Sequence, residues 1–252
     1  MKDEPKPLLE HLDELRSRLI VVLIVIAILA AGSYRFVDRI IGWLAGPAGG
    51  FVFFSPTEAF MVRLKIAAIV GLFLAVPLVI YEIWRFVGVA LTPAEKKTTL
   101  QVLPASYLLF MAGAATAWWA VIPAATRFLL TFSTPNLRPM LSIDAYVGFA
   151  GWLTMAFGAM FQLPLVVLFL VKIGAVAPGS LGAYRRHVLL GLAITAGVLT
   201  PGPDIFSQLA LLLPTYLLYE VSILIVWWSY RPEPSNEGSI VARAAGAFEK
   251  EN

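Results

Sequence analysis

The sequence predicts an all-α integral membrane protein with six transmembrane helices, and three observations support this. The chain of 252 residues is 59% apolar and 14% charged, whereas soluble domains are about 45–50% apolar and about 25% charged. Long runs that are almost free of charged residues recur along the chain. Most of the 19 Lys and Arg residues fall on alternate connections between these runs. A soluble protein is therefore excluded.

Apolar runs of bilayer length predict the six spans within a membrane domain at residues 19–230. The spans cover residues 19–35, 64–88, 98–126, 145–171, 188–201 and 205–228. Residues 1–18 predict an amphipathic helix, and the polar tail at residues 231–252 is expected to be disordered. Six spans place both termini on one side, and the excess of Lys and Arg there predicts that this side is cytoplasmic.

Prolines inside four spans predict bent helices that form a concave wall, because proline removes a backbone donor and clashes one turn back. These are Pro77, Pro104, Pro164 and Pro214. The fifth and sixth spans are predicted to be short. Residues 188–200 cover only roughly 20 Å of helix against a hydrocarbon core of about 30 Å, and the Pro201-Gly202-Pro203 turn follows directly.

The first outer connection, between the first two spans, is predicted to fold as a structural cap. Ser55-Pro56-Thr57-Glu58 has the pattern of a helix start, with Ser55 as N-cap and Glu58 closing a capping box. These residues are expected to order the outer side of the protein.

Composition also limits the chemistry. A net charge of +3 is not the signature of a nucleic-acid-binding protein, and the chain has no Cys and two His residues. Nothing in the sequence resembles a metal cluster, a nucleophile with its base, or a phosphate-binding loop. We therefore expect no catalytic residues, no cofactor, no metal site and no nucleic-acid partner.

Two acids on the cytoplasmic side, Glu14 and Glu95, each allow two interpretations. Glu14 can simply pair with Arg18 at i, i+4, and Glu95 can be the acid of a capping box after Thr92-Pro93. Alternatively, each carboxylate can hold a guanidinium of a partner, since bidentate pairing is characteristic of arginine. Periodicity cannot show whether the two acids are close together.

Three polar side chains fall inside the predicted spans or at their tip: Gln162, Asp204 and Glu220. An ionisable group at membrane depth is costly and is a functional candidate by default. We therefore predict that these three side chains contact a partner helix, Gln162 through hydrogen bonds. Glu82 and Arg85, one turn apart near the end of the second span, are expected to pair with each other.

Four ordered blocks of sequence resemble the TatC family, the multispanning subunit of the twin-arginine protein translocase. Residues 8–19, Leu-Leu-Glu-His-Leu-Asp-Glu-Leu-Arg-Ser-Arg-Leu, resemble the family's His-Leu-x-Glu-Leu-Arg-x-Arg-Leu opening. The other blocks are Thr-Glu-Ala-Phe at 57–60, Tyr-Glu-Ile-Trp-Arg-Phe at 81–86, and Leu-Thr-Pro-Gly-Pro-Asp-Ile-Phe-Ser-Gln at 199–208.

The resemblance implies a receptor in a bacterial-type cytoplasmic (inner) membrane. Such a protein binds twin-arginine signal peptides of folded precursors with TatB, recruits TatA for export driven by the proton-motive force, associates with further copies of itself and contacts membrane lipid. It is not an enzyme. The short hairpin formed by the last two spans is where TatA and TatB helices are expected to dock.

The resemblance also implies roles for individual residues. Glu14 and Glu95 match the acids for the two arginines, and Arg16, Phe86 and Leu91 match the surrounding signal-binding patch. Pro47 matches a structural proline of the outer cap. Gln162 stands where many members carry an acid, and the turn before Asp204 is one residue longer than in many members, so the roles of these two residues are less directly implied.

A secondary solute transporter is the main alternative, because it too would have broken membrane helices. Transporters often contain an internal repeat and converging polar groups at the midplane, and this sequence shows neither. A purely structural scaffold would leave Glu14 and Glu95 without a role.

Overall fold

The computed structural model describes residues 8–48, 51–87, 93–132, 134, 140–200 and 205–229. The side chains of residues 8–12, 45–48, 87, 93–101 and 206 lie outside this description, as does the tail at 231–252. The described chain contains no β-strand. Its nine α-helices are α1 (Leu8–Ser33), α2 (Val37–Ala48), α3 (Pro56–Val87), α4 (Pro93–Thr116), α5 (Ile122–Leu130), α6 (Ile143–Met160), α7 (Leu163–Lys172), α8 (Arg185–Leu199) and α9 (Ile205–Ser229).

Helix α1 is continuous, so no break separates the predicted amphipathic segment from the first span. It packs along α3, and a small residue allows the close approach. A Cβ atom at Gly71 would lie 2.5 Å from the backbone nitrogen of Ala30. Small residues at such positions let two membrane helices approach backbone to backbone. This contact fixes the position of α1 along the axis of α3.

Two of the long helical segments are interrupted just before a proline. A π-helical turn at Ala117–Val121 separates α4 from α5, which has Pro123 in its first turn. A turn at Phe161 and Gln162 separates α6 from α7, which has Pro164 in its first turn. The cause is that proline cannot donate to the carbonyl four residues earlier. Helices α3, α4 and α9 remain helical through Pro77, Pro104 and Pro214.

Helices α8 and α9 pack together as a hairpin in which the fifth span, α8, is short as predicted, whereas the sixth span is not. Helix α8 has 15 residues, about 22 Å at 1.5 Å per residue, which is less than the roughly 30 Å of a hydrocarbon core. Helix α9 has 25 residues and is not itself short. Arg185, the first residue of α8, contacts Glu220, so α9 continues for more than two turns beyond the end of the hairpin.

Among the described residues, five helical stretches are long and apolar enough to cross a membrane, and α8, the predicted fifth span, is not one of them. The five stretches are Asp13–Leu44, Pro56–Phe86, Val102–Leu130, Ile143–Lys172 and Ser207–Ser229. The largest buried cluster joins the π-helical turn, α6, α8 and α9 around Leu153, Phe157 and Leu211. A second cluster, around Val37, Val62 and Ile66, lies where α2 meets the start of α3. Charged and capping groups lie mainly at the two ends of the bundle.

Candidate functional site

Four alternating charges meet where the beginning of α1 lies beside the end of α3; we call Glu14, Arg18, Glu82 and Arg85 the Glu14 array. Arg18 donates from Nη2 to Glu14 Oε1 and from Nη1 to Glu82 Oε2, the latter at 3.0 Å. Arg85 Nη1 lies 3.8 Å from the other oxygen of Glu82. Arg18 is therefore the central cation, and it bridges two carboxylates on different helices.

Helical spacing and the antiparallel packing of α1 on α3 together create the array. Glu14 and Arg18 are at i, i+4 on α1, and Glu82 and Arg85 are at i, i+3 on α3. Residues with these spacings share one helix face. The guanidinium carbon of Arg85 also lies 6.0 Å from the ring centre of Tyr81, a contact of cation–π type.

Partial burial makes the array energetically significant. The side chains of Arg18 and Glu82 are each 12% exposed, and that of Glu14 is 25% exposed. Exposed ion pairs contribute little to stability, but removing one partner of a desolvated pair leaves an uncompensated charge that is costly. Each carboxylate of the array therefore requires a cation, supplied by the chain or by a ligand.

The structure places only part of the predicted signal-binding patch. Arg16 is exposed on α1 and Phe86 is half-buried in the last turn of α3, four residues after Glu82. Leu91 lies outside the described residues. Glu95 lies in the first turn of α4, but its side chain is also outside the description. The proximity of Glu14 to Glu95 remains a prediction.

At the opposite end of the molecule, polar side chains hold backbone segments together; we call Val52, Ser55, Glu58 and Ser142 the Ser142 junction. Helix α3 begins at Pro56 as predicted, and Ser55 Oγ accepts a hydrogen bond from the Glu58 N–H at 3.1 Å. The Glu58 carboxylate accepts from the Phe54 N–H at 2.6 Å and from Ser142 Oγ at 2.7 Å.

Ser142 links this helix start to the start of α6. Its Oγ accepts from the Ala145 N–H at 3.3 Å, so Ser142 is the N-cap of α6. Val52 pairs with Ser142 in a parallel bridge, in which the Ile143 N–H donates to the Val52 carbonyl at 3.1 Å. Nearby, Lys65 pairs with Asp144. Pro47 lies in α2, but its side chain is outside the description, and its role in the cap remains a prediction.

Gln162 uses its amide group within the chain. Its Nε2 donates to the backbone carbonyl of Ser106 at 2.9 Å, and the buried Ser106 Oγ accepts from Trp84 Nε1 at 2.8 Å. These contacts join α3, α4 and the turn between α6 and α7. They give Gln162 a role in joining helices inside the chain, in addition to its predicted contact with a partner helix.

Glu220 is also engaged within the chain. Its carboxylate accepts from Arg185 Nη2 at 2.9 Å and from the Tyr216 hydroxyl at 2.8 Å. This arrangement connects the start of α8 to α9. Asp204, the third predicted intramembrane polar group, lies outside the described residues.

An apolar cavity of about 340 Å³ lies between α2, α3, the end of α4 with its π-helical turn, and α6. Aromatic side chains line it, including Trp43 stacked on Trp118 with ring centres 4.6 Å apart. Thr154 supplies the one hydroxyl among its lining residues. A cavity of this composition suits an apolar chain or side chain and does not suit a polar solute.

Sequence reasoning missed the link from Arg18 to Glu82 and the contacts that join Trp84, Ser106 and Gln162. The first pair is separated by 64 residues and Gln162 and Ser106 by 56, so helical periodicity carries no signal for either. The presence of Arg18 and Glu82 in two of the four family-like blocks was the only available indication. Among the described residues, no group of three or more His, Asp or Glu side chains could hold a metal ion.

The sequence of the chain matches a known protein family and several of its members. The family model described as Sec-independent protein translocase protein (TatC) matches residues 10–214. A protein of this description from Carboxydothermus hydrogenoformans is 41% identical over 241 residues, which cover 94% of this chain and 99% of that protein. Another, from Aquifex aeolicus, is 36% identical over 227 residues and covers 87% and 94%.

Solved structures give the same result at the level of the fold. A crystal structure described as Twin Arginine Translocase Receptor-TatC matches with a TM-score of 0.75 and 34% sequence identity. The match covers 86% of this chain and 97% of that chain. The all-helical arrangement found here is thus shared with that receptor.

Proposed function

The chain belongs to the TatC family of Sec-independent protein translocase proteins, and from this membership we propose that it is the membrane receptor of a twin-arginine translocase. It binds the twin-arginine signal peptides of folded precursors together with TatB, and it recruits TatA for export driven by the proton-motive force. The family role is protein transport, and the apolar helices are those of a multi-pass membrane protein.

The observation that carries this proposal is the pairing of Glu14 with a guanidinium of the chain itself. Its carboxylate, three-quarters buried, already binds a guanidinium, that of Arg18. A carboxylate in such surroundings favours guanidinium over ammonium, because the planar fork of arginine can make two parallel hydrogen bonds. Glu14 is therefore suited to one arginine of a signal peptide, and we propose Glu95, with Arg16, Phe86 and Leu91, for the rest of the contact.

The distribution of positive charge supports the location. Lys and Arg are concentrated at the termini and on the connections that face the same side as the termini, which favours a cytoplasmic position for both. Glu14 then lies at the cytoplasmic surface of the inner membrane, where folded precursors are found. A receptor for exported proteins requires this orientation.

The apolar cavity supports a path for the hydrophobic part of the signal peptide. Its lining residues on α3 extend from Ile66 to Phe73, which lie roughly 15–25 Å from Glu82 at about 1.5 Å per residue of helix. A helical peptide whose arginines bind near Glu14 is long enough to reach the cavity, although the cavity lies on a different face of α3 from Glu82 and none of its described lining residues belongs to α1. We propose that the hydrophobic segment enters here, along the concave wall.

The remaining partners are proposed on the apolar surface of the hairpin. Leu209, Leu213 and Leu217 are exposed at intervals of four residues on one face of α9, which is a surface for lipid or for another membrane helix. TatA, TatB or a further copy of the chain can use it. A secondary transporter is disfavoured because the cavity is apolar and Gln162 is engaged with Ser106.

Site-specific photocrosslinking from positions 14 and 95 in native membranes tests the proposal. One signal peptide carries Arg-Arg and its matched control carries Lys-Lys. We expect crosslinks from both positions that form with Arg-Arg and weaken with Lys-Lys. Equal crosslinking with the two peptides would mean only that both peptides lie near positions 14 and 95 at the membrane. The absence of crosslinks with either peptide would contradict the receptor role.

A further inference from the structure

The cation that occupies Glu14 belongs to the protein itself. Arg18 donates to Glu14 with one arm of its guanidinium and to Glu82, at 3.0 Å, with the other. Building on the proposed function, we propose that Glu82 is a positioning residue for signal-peptide recognition. It holds Arg18 when an arginine of the peptide takes Glu14, so that binding is an exchange of guanidinium groups on one carboxylate.

Arg18 is suited to be the resting counterion of Glu14. Glu14 is only 25% exposed, and an isolated carboxylate in such surroundings would be strongly unfavourable. Because Arg18 is one turn along the same helix, it is available whenever the site is empty. The receptor can therefore keep a partly buried acid ready without leaving its charge uncompensated.

The geometry allows Arg18 to leave Glu14 without losing its own partner. Arg18 and Glu82 are both 12% exposed, so their pairing is retained in a partly desolvated setting when the Glu14 contact breaks. The Nε of Arg18 is buried and has no hydrogen-bond partner among the described residues. On release from Glu14, Nη2 is free to join Nη1 in a two-point contact with Glu82.

Because of this exchange, a ligand must bind Glu14 more favourably than Arg18 does. Any cation that binds Glu14 must replace a guanidinium, which weakens the apparent affinity of all cations by one common factor. A guanidinium, which pairs with a carboxylate at two points, can replace Arg18, whereas a single ammonium group replaces it poorly. Glu82 lowers the free-energy cost of displacing Arg18 from Glu14, because it stabilises Arg18 in the displaced position.

Titration of native membrane vesicles that contain the full-length chain tests the exchange. The probe is a synthetic twin-arginine signal peptide with a fluorophore, and the readout is its Kd. We expect Glu82→Gln to raise Kd by about fivefold, because Arg18 is then left with Glu14 alone. Adding Arg18→Gln to that variant should return Kd to the wild-type value or below. Asp13→Asn, an exposed acid outside the array, is the control and should leave Kd unchanged.

The double variant separates exchange from a purely structural role of Glu82. If Glu82 only supported packing, removing Arg18 as well would not restore binding, and that result would overturn the inference. An unchanged Kd for Glu82→Gln would overturn it too. Glu14→Gln distinguishes failure of the exchange from failure of the proposed role of Glu14 in binding the peptide. If this variant weakens binding while Glu82→Gln does not, only the exchange fails; if Glu14→Gln binds normally, the proposed role of Glu14 fails and the exchange with it.

Discussion

At the end of the molecule that holds the Glu14 array, partly buried ion pairs join side chains to one another. The opposite end also has ion pairs, but these are more exposed, and there the polar side chains of the Ser142 junction bind backbone segments. Arg18 bridges Glu14 and Glu82 without contacting a described helix start or turn. In the Ser142 junction, by contrast, Ser55, Glu58 and Ser142 bind backbone N–H groups. The polar side chains at the two ends therefore bind different kinds of group.

The difference indicates where ligands can act. A contact between side chains can be exchanged for a contact with a ligand, and the helices stay in place. A contact that satisfies the unpaired N–H groups at a helix start cannot be exchanged so easily, because the backbone would lose its partner. We therefore assign recognition to the Glu14 end and stability to the Ser142 end.

The largest expected effect is the loss of export in Glu14→Gln. The neutral amide keeps the shape of the side chain but removes the charge that binds a guanidinium. A charge-assisted hydrogen bond contributes about 1.5–3 kcal/mol, so export of a folded twin-arginine reporter should slow by about tenfold or more. Asp13→Asn, one residue away and exposed, is the matched control. A wild-type export rate in Glu14→Gln would refute the assignment.

A smaller effect, of a different kind, is expected from Ser142→Ala. This change removes the N-cap of α6 and the hydrogen bond to Glu58, which together stabilise the fold by about 1–2 kcal/mol. The melting temperature of the purified protein should fall, while peptide affinity is unchanged. Ser142→Thr keeps a hydroxyl and should restore most of the stability. A Ser142→Ala protein that binds peptide poorly but melts normally would contradict the assignment of stability to this end.

The smallest effect is expected from Arg63→Gln at the same end. Arg63 pairs with Asp38 at 2.8 Å, but the two side chains are 43% and 72% exposed. Exposed pairs of this kind contribute about 0–1 kcal/mol. The melting temperature should therefore differ little from that of wild type. A decrease as large as that of Ser142→Ala would show that exposed ion pairs matter more at this end than we infer.

Local features of the fold were predictable from the sequence, and long-range contacts were not. The start of α3 at Pro56 followed from Ser55 and Glu58, and the short fifth span, α8, followed from the apolar run before Pro201. Both depend on neighbouring residues. The π-helical turn before Pro123 was not predicted, because the backbone groups freed by a proline in a membrane helix can be satisfied in several ways, of which a π-helical adjustment is one.

The candidate site shows the same limit. Pairing of Glu14 with Arg18 was one of the interpretations that helical spacing allowed, and it is found. The contact of Arg18 with Glu82 required knowledge of how α1 packs on α3, which no local pattern supplies. The contact of Gln162 with the Ser106 carbonyl was not foreseen, because a backbone carbonyl has no sequence signature, and the predicted contact of Gln162 with a partner helix stays a prediction. The positions of Glu95, Leu91 and Asp204 remain predictions.

The most direct test of the account measures two quantities on the same two variants: the Kd for a twin-arginine signal peptide and the melting temperature. The account predicts a crossed result. Glu14→Gln loses affinity with only a small change in melting temperature, because Arg18 keeps its partner Glu82, and Ser142→Ala melts earlier with an unchanged Kd. If both variants lost affinity and stability together, recognition and folding would not be divided between the two ends, and the central claim would be contradicted.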